Sequence, residues 1–145
     1  MVREAGADEV IPVEGFKDAD RELTRGRGVD IAVDPGGGER FTDSLRSLAP
    51  EGRLLVAGFA DGEIPTVKAN RVLLNNLNVV GVGSGAFWTH RLTHLRDQWH
   101  EISLLQADGR LRPIMGGTFP LNRAADALHA IDELRAIGNL MLEVR

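Results

Sequence analysis

The segment Val29-Asp30-Ile31-Ala32-Val33-Asp34-Pro35-Gly36-Gly37-Gly38 decides how the chain is read. It has the form of a short buried strand whose carboxyl end opens into a glycine-rich turn. Two later segments repeat the form: Gly52-Arg53-Leu54-Leu55-Val56-Ala57-Gly58-Phe59 and Val79-Val80-Gly81-Val82-Gly83-Ser84-Gly85. In an open parallel sheet, ligands sit outside the carboxyl ends of the strands, where small residues leave room for them. Three glycine-punctuated strand ends therefore predict a nucleotide-type cleft.

Working outward, helix and strand signals alternate. Met1 to Ala5 reads as a helix tail stopped by Gly6, and Glu9-Val10-Ile11 as a short strand closed by Pro12. Asp18 to Thr24 is a polar helix that Asp18 could cap, and Val29 to Val33 a strand. Glu39 to Leu48 is a helix with Phe41, Leu45 and Leu48 on one stripe. A turn at Ala49-Pro50-Glu51-Gly52 leads to an apolar strand over Leu54 to Ala57, the pattern expected where both sheet faces are covered. A short helix over Asn70 to Asn76 precedes a strand over Leu77 to Val82. Thr89 to Gln106 is the longest helix, with Leu92, Leu95, Trp99 and Ile102 at spacings of three and four. Leu111 to Met115 is an edge or irregular strand because of Pro113. Asn122 to Arg135 is a final helix with Leu128, Ile131 and Leu134 inward, and Leu140 to Val144 a last strand. No two strands are joined by a two-residue hairpin, so the reading is parallel crossovers in a layered α/β sheet.

The 145 residues are expected to form a single domain. A hydrophobic share of 43% with 26% charged residues is ordinary for a soluble globular chain. The net charge of −4 argues against a nucleic-acid surface, which needs clustered Lys and Arg. The absence of cysteine excludes disulfides and thiolate zinc sites. No stretch has the length and apolarity of a membrane span, so a cytoplasmic protein without membrane or nucleic-acid partners is expected.

Candidate chemistry is sparse. Pro35-Gly36-Gly37-Gly38 stands between a strand and a helix, where backbone N–H groups can hold a phosphate. Its spacing is not G-x-G-x-x-G, and the acidic ribose partner of that motif is missing, so a cofactor-facing turn is the better reading. His90 and His94, four apart on the long helix with Glu101 further along, lie off its apolar stripe and read as surface residues rather than zinc ligands. Ser84 lacks a nucleophile elbow. The residues alone give an α/β domain with a glycine-lined crevice and no self-contained catalytic set, and no metal site.

These residues resemble the cofactor domain of the medium-chain dehydrogenase/reductase superfamily, most closely its quinone oxidoreductase, zinc-binding dehydrogenase-like branch. Arg3-Glu4-Ala5-Gly6-Ala7-Asp8-Glu9-Val10-Ile11 is similar to that family's A-K-x-L-G-A-D-x-V-I, and Leu23-Thr24-Arg25-Gly26-Arg27-Gly28-Val29-Asp30 to its L-T-x-G-x-G-V-D. Asp34 to Gly38, Leu45 to Leu54 and Gly109-Arg110-Leu111-Arg112-Pro113 continue the likeness in order.

The resemblance implies a partial Rossmann-like parallel sheet with flanking helices. It lacks the first βαβ unit with its glycine loop, and the N-terminal substrate domain is absent from these residues. It further implies NADPH as cofactor, touched by Pro35 on the adenosine side. Ala57, Gly58 and Phe59 would stand near the nicotinamide, flanked by Val82, Gly83 and Ser84. Asn139 stands where the family carries Lys, so the charge of that contact is lost. The function implied is hydride transfer from NADPH to a quinone or enone in a homodimeric enzyme, with this chain a fragment that is inactive alone and binds NADPH weakly or not at all. The alternative is a non-catalytic dimerising α/β module derived from the family.

Overall fold

A computed structural model of the chain describes residues 2–133 and 135–144. It divides into two compact units, Met1–Phe87 and Trp88–Arg145. The first unit contains α1 (Phe16–Leu23), β1 (Val29–Asp34), α2 (Phe41–Ser47), β2 (Leu48–Val56), α3 (Ala69–Leu74) and β3 (Asn78–Gly81). Its sheet runs β1-β2-β3 with both pairings parallel. Parallel neighbours need a crossover connection, and α2 and α3 supply the two.

One face of this sheet carries the core. Phe41, Leu45, Leu48, Leu54 and Leu77 cluster, with Val29, Ala32, Val56, Val67 and Val72 packed against them. Phe41 and Leu45 are one helical turn apart on α2, so they land together on Leu54, which is fully buried. Burying each of these side chains is worth about 1.5–3 kcal/mol. On the opposite face Ile31 and Val33 remain more than half exposed. The apolar run of β2 is therefore covered fully on one side only.

The expected turn at Ala49–Gly52 is folded into β2. The register shifts between the Val29–Leu48 and Ile31–Arg53 pairs, Glu51 takes a φ of +66°, and its N–H donates to the Asn75 carbonyl at 2.9 Å. This irregularity presses on Gly28, which has φ +88°. A Cβ there would lie 2.5 Å from the Ser47 carbonyl oxygen.

Three expectations for the first ninety residues are corrected. Residues 2–6 form turns rather than a helix, with the Gly6 N–H on the Arg3 carbonyl at 3.0 Å; Met1 lies outside the described residues. Glu9-Val10-Ile11 is not a strand. No described strand pairs with it, and an unpaired strand leaves its backbone groups unmatched. Helix α1 starts at Phe16 behind Gly15, which makes no side-chain cap, so Asp18 sits inside the first turn and does not cap it.

A short helix, α4 (Ser84–Thr89), spans the junction of the units. The second unit contains α5 (Leu92–Ala107), β4 (Met115–Pro120), a 3-10 turn (Leu121–Arg123), α6 (Ala124–Asp132) and β5 (Asn139–Glu143). Strands β4 and β5 pair in parallel. The long helix is interrupted at His90 and Arg91, so His90 is not on α5 and does not share a helical face with His94. The stripe of α5 is present but uncovered, with Leu92 72% and Trp99 67% exposed.

Residues 111–114 are not in a strand. Pro113 has no N–H to give a ladder, and pairing begins at Met115. On α6 the inward residues are Ala127 and Ala130, whereas Leu128 and Ile131 are exposed. Leu134 lies outside the described residues. Gly138, at φ +76°, leads into β5, and the next N–H, of Asn139, donates to the Ile114 carbonyl at 2.8 Å.

Candidate functional site

Parallel pairing in register brings three strand ends to one edge. Asp34 lies opposite Val56, and Val56 opposite Gly81. Just beyond them come Pro35, then Ala57, Gly58 and Phe59, then Val82, Gly83 and Ser84. Seven of the eight expected cofactor residues thus stand at the carboxyl edge of one sheet. Asn139 belongs to the second unit, as the first residue of β5.

Backbone bonds fasten these ends together. The Ala57 N–H donates to the Asp34 carbonyl at 2.9 Å, the Ala60 N–H to the Pro35 carbonyl at 3.1 Å, and the Val82 N–H to the Val56 carbonyl at 2.9 Å. A Cβ on Gly58 would lie 3.0 Å from the Pro35 carbonyl oxygen, so the close approach of the two loops depends on that glycine. The ring of Phe59 covers the Gly37 backbone, where an added Cβ would be 3.0 Å from Phe59 Cδ1. At the third strand end the situation is reversed. Around Gly81, Gly83 and Gly85 an added Cβ would meet nothing within 4 Å. The backbone on the β3 side is therefore open, and the Val82 side chain beside it is exposed.

The glycine run after β1 is occupied by its own chain. Asp34 is buried, and its Oδ1 accepts from the Gly36 N–H at 3.0 Å and the Gly37 N–H at 2.8 Å. The Gly38 N–H donates to the Glu63 carbonyl at 3.2 Å. All three glycine amides are thus spent internally. A neighbouring recess of about 250 Å³ is lined by Gly38, Glu39, Arg40, Asp61 and Glu63. Three carboxylates against one guanidinium repel a phosphate, and Arg40 already faces Asp61 at 3.9 Å. The loop is a structural turn beside a cleft, not a phosphate cradle.

Asp34 is the residue that sequence reasoning missed. Its Oδ2 is buried and has no hydrogen-bond partner among the described residues. The signal was present as Asp-Pro-Gly-Gly, since an Asp side chain readily bonds backbone two or three residues on.

Among the described residues no three His, Cys, Asp or Glu side chains are placed to hold a metal ion. No described helix is long and apolar enough to cross a membrane.

Residues 5–142 match the protein family described as zinc-binding dehydrogenase. The chain is 33% identical over 130 residues to quinone oxidoreductase-like protein 2 of Rattus norvegicus, a match covering 90% of this chain and 37% of that protein. It is also similar to a solved probable oxidoreductase from Mycobacterium abscessus, with 38% identity, a TM-score of 0.78, and 97% of this chain and 41% of that one covered. A mycobacterial protein solved in complex with NADPH aligns at 28% identity and a TM-score of 0.79, over 97% of this chain and 45% of its own. The chain spans about two fifths of the length of such relatives.

Proposed function

We propose, from the premise that this chain belongs to the zinc-binding dehydrogenase family, that its carboxyl sheet edge forms the nicotinamide-side wall of an NADPH site. The activity we assign to that site is reduction of a quinone or enone. The observation that carries this reading is the open space beside Gly81, Gly83 and Gly85 at one end of three aligned strand ends. A flat ring can approach backbone closely there. Bound NADPH would supply the hydride, and the residues here would hold and orient it.

Each group has a definite part in that. Val82 and Phe59 offer apolar surface to a ring, while Gly83 and Ser84 leave the approach unobstructed. Gly58 keeps the second loop against Pro35, which fixes the spacing between the two walls of the crevice. Positioning of this kind is a large source of rate enhancement where two reactants must meet. The parts assigned to these residues are binding and orientation alone. The internally spent amides after β1 and the acidic recess beside them support a pyrophosphate held away from this loop.

It follows that these 145 residues alone bind NADPH weakly. Fluorescence titration should give no saturation at low-micromolar NADPH. An amide NMR spectrum with millimolar NADPH should show shifts confined to residues 57–59 and 82–84. Low-micromolar binding would refute the incomplete-site reading, and shifts placed elsewhere would refute the site itself. A homodimer belongs to the same proposal, supported by the exposed apolar residues Met141 and Leu142 on β5. Analytical ultracentrifugation tests it.

A further inference from the structure

The opposite, amino edge of the first sheet holds a second cavity. It has a volume of about 330 Å³ and lies where the chain enters β1, β2 and β3. Arg21, Arg27, Arg46 and Arg71 all line it, and no carboxylate is among the described lining residues. In a chain of net charge −4 this is a local concentration of positive charge. Arg21, Arg46 and Arg71 stand in the last turns of α1, α2 and α3 respectively. Helix C-termini attract cations, which explains how three arginines are drawn to one edge.

What the helix ends do not explain is the hydrogen-bond account. Arg27 pairs with Asp30, and Arg46 with Asp43 at 3.1 Å. Arg21 donates to the Arg46 carbonyl at 3.0 Å. The Arg71 side chain has no hydrogen bond or ion pair among the described residues, although the residue is half-buried in the cavity wall. A guanidinium carries five N–H donors in a planar fork suited to a carboxylate or phosphate. Beneath it the wall is apolar, with Leu48 and Leu77 from the core and Leu74 at the rim.

We propose that this cavity is a binding site for a small organic anion, with an apolar body on the leucines and an oxyanion head between Arg71 and the neighbouring arginines. The site is distinct from the carboxyl edge and stands whether or not that edge binds NADPH. Its size suits one ring or a short acyl group.

The test uses phenyl phosphate, benzoate, inorganic phosphate and phenol as probes, followed by amide NMR at low ionic strength. Phenyl phosphate and benzoate should both saturate and shift residues 71–77 and 46–50. Inorganic phosphate and phenol should each bind at least about tenfold more weakly, since each lacks one half of the recognition. Arg71→Gln should weaken phenyl phosphate by about tenfold, and Arg71→Lys by less, because an ammonium keeps the charge and loses the fork. Thermal melts of both variants separate lost binding from lost folding. If Arg71→Gln does not fold, Arg71→Lys carries the test alone. The proposal is overturned if neither organic anion saturates below about 10 mM. It is equally overturned if the folded variants bind like the parent, or if the shifts fall at the carboxyl edge.

Discussion

At Gly28 the backbone sits at φ +88°, and an added Cβ would lie 2.5 Å from the Ser47 oxygen and 2.8 Å from the Ala49 nitrogen. Both costs act together, so Gly28→Ala should destabilise the chain by about 2–4 kcal/mol, measured by urea denaturation. Asp34 is constrained in another way. Asp34→Ala would leave the Gly36 and Gly37 amides without their acceptor and should cost about 1–3 kcal/mol. Asp34→Asn keeps an oxygen acceptor and should cost less in the same melts. The sequence marks both residues as turn signals and shows neither constraint. What makes Gly28 irreplaceable is a segment twenty residues further on, and what makes Asp34 matter is burial.

The elements of the first unit were largely legible because their patterns are strong. Phe41 and Leu45 at helical spacing do pack on the sheet, and the three apolar runs are its strands. Leu54→Ala should therefore cost about 2–5 kcal/mol, since the side chain is fully enclosed and the cavity cannot collapse easily. Leu128→Ala, at a position that the α6 pattern puts inward, should cost under about 0.5 kcal/mol because the side chain is exposed. Parallel urea melts of the two variants compare them directly. Elements failed to read correctly where pairing decides. Glu9-Val10-Ile11 has strand composition and no described partner, and the run containing Pro113 cannot join a ladder until the proline is passed. The turn residues Ala49–Gly52 do break the strand locally, yet β1 runs beside them and takes them into β2 as an irregularity.

For the whole molecule, the two ends of the first sheet have opposite characters. The carboxyl edge is glycine-lined, open beside β3 and acidic near α2; the amino edge is ringed by arginines over leucines. Raising salt should weaken the organic anions at the amino edge several-fold, because partly exposed charges are screened over about 10 Å at 0.1 M ionic strength. The same titrations run at low and high salt check this. The sequence by itself determined the order of elements from α1 to β3, the parallel α/β class and the family. Those follow from local periodicity, turn residues and ordered motifs, which need no knowledge of distant neighbours. Only the tertiary structure decided which edge is open, that the glycine run after β1 is spent on Asp34 and Glu63, and that four arginines scattered over fifty residues line one cavity. Such properties depend on which backbone donors are already used and which charges converge, and both are set by packing between segments far apart in the chain.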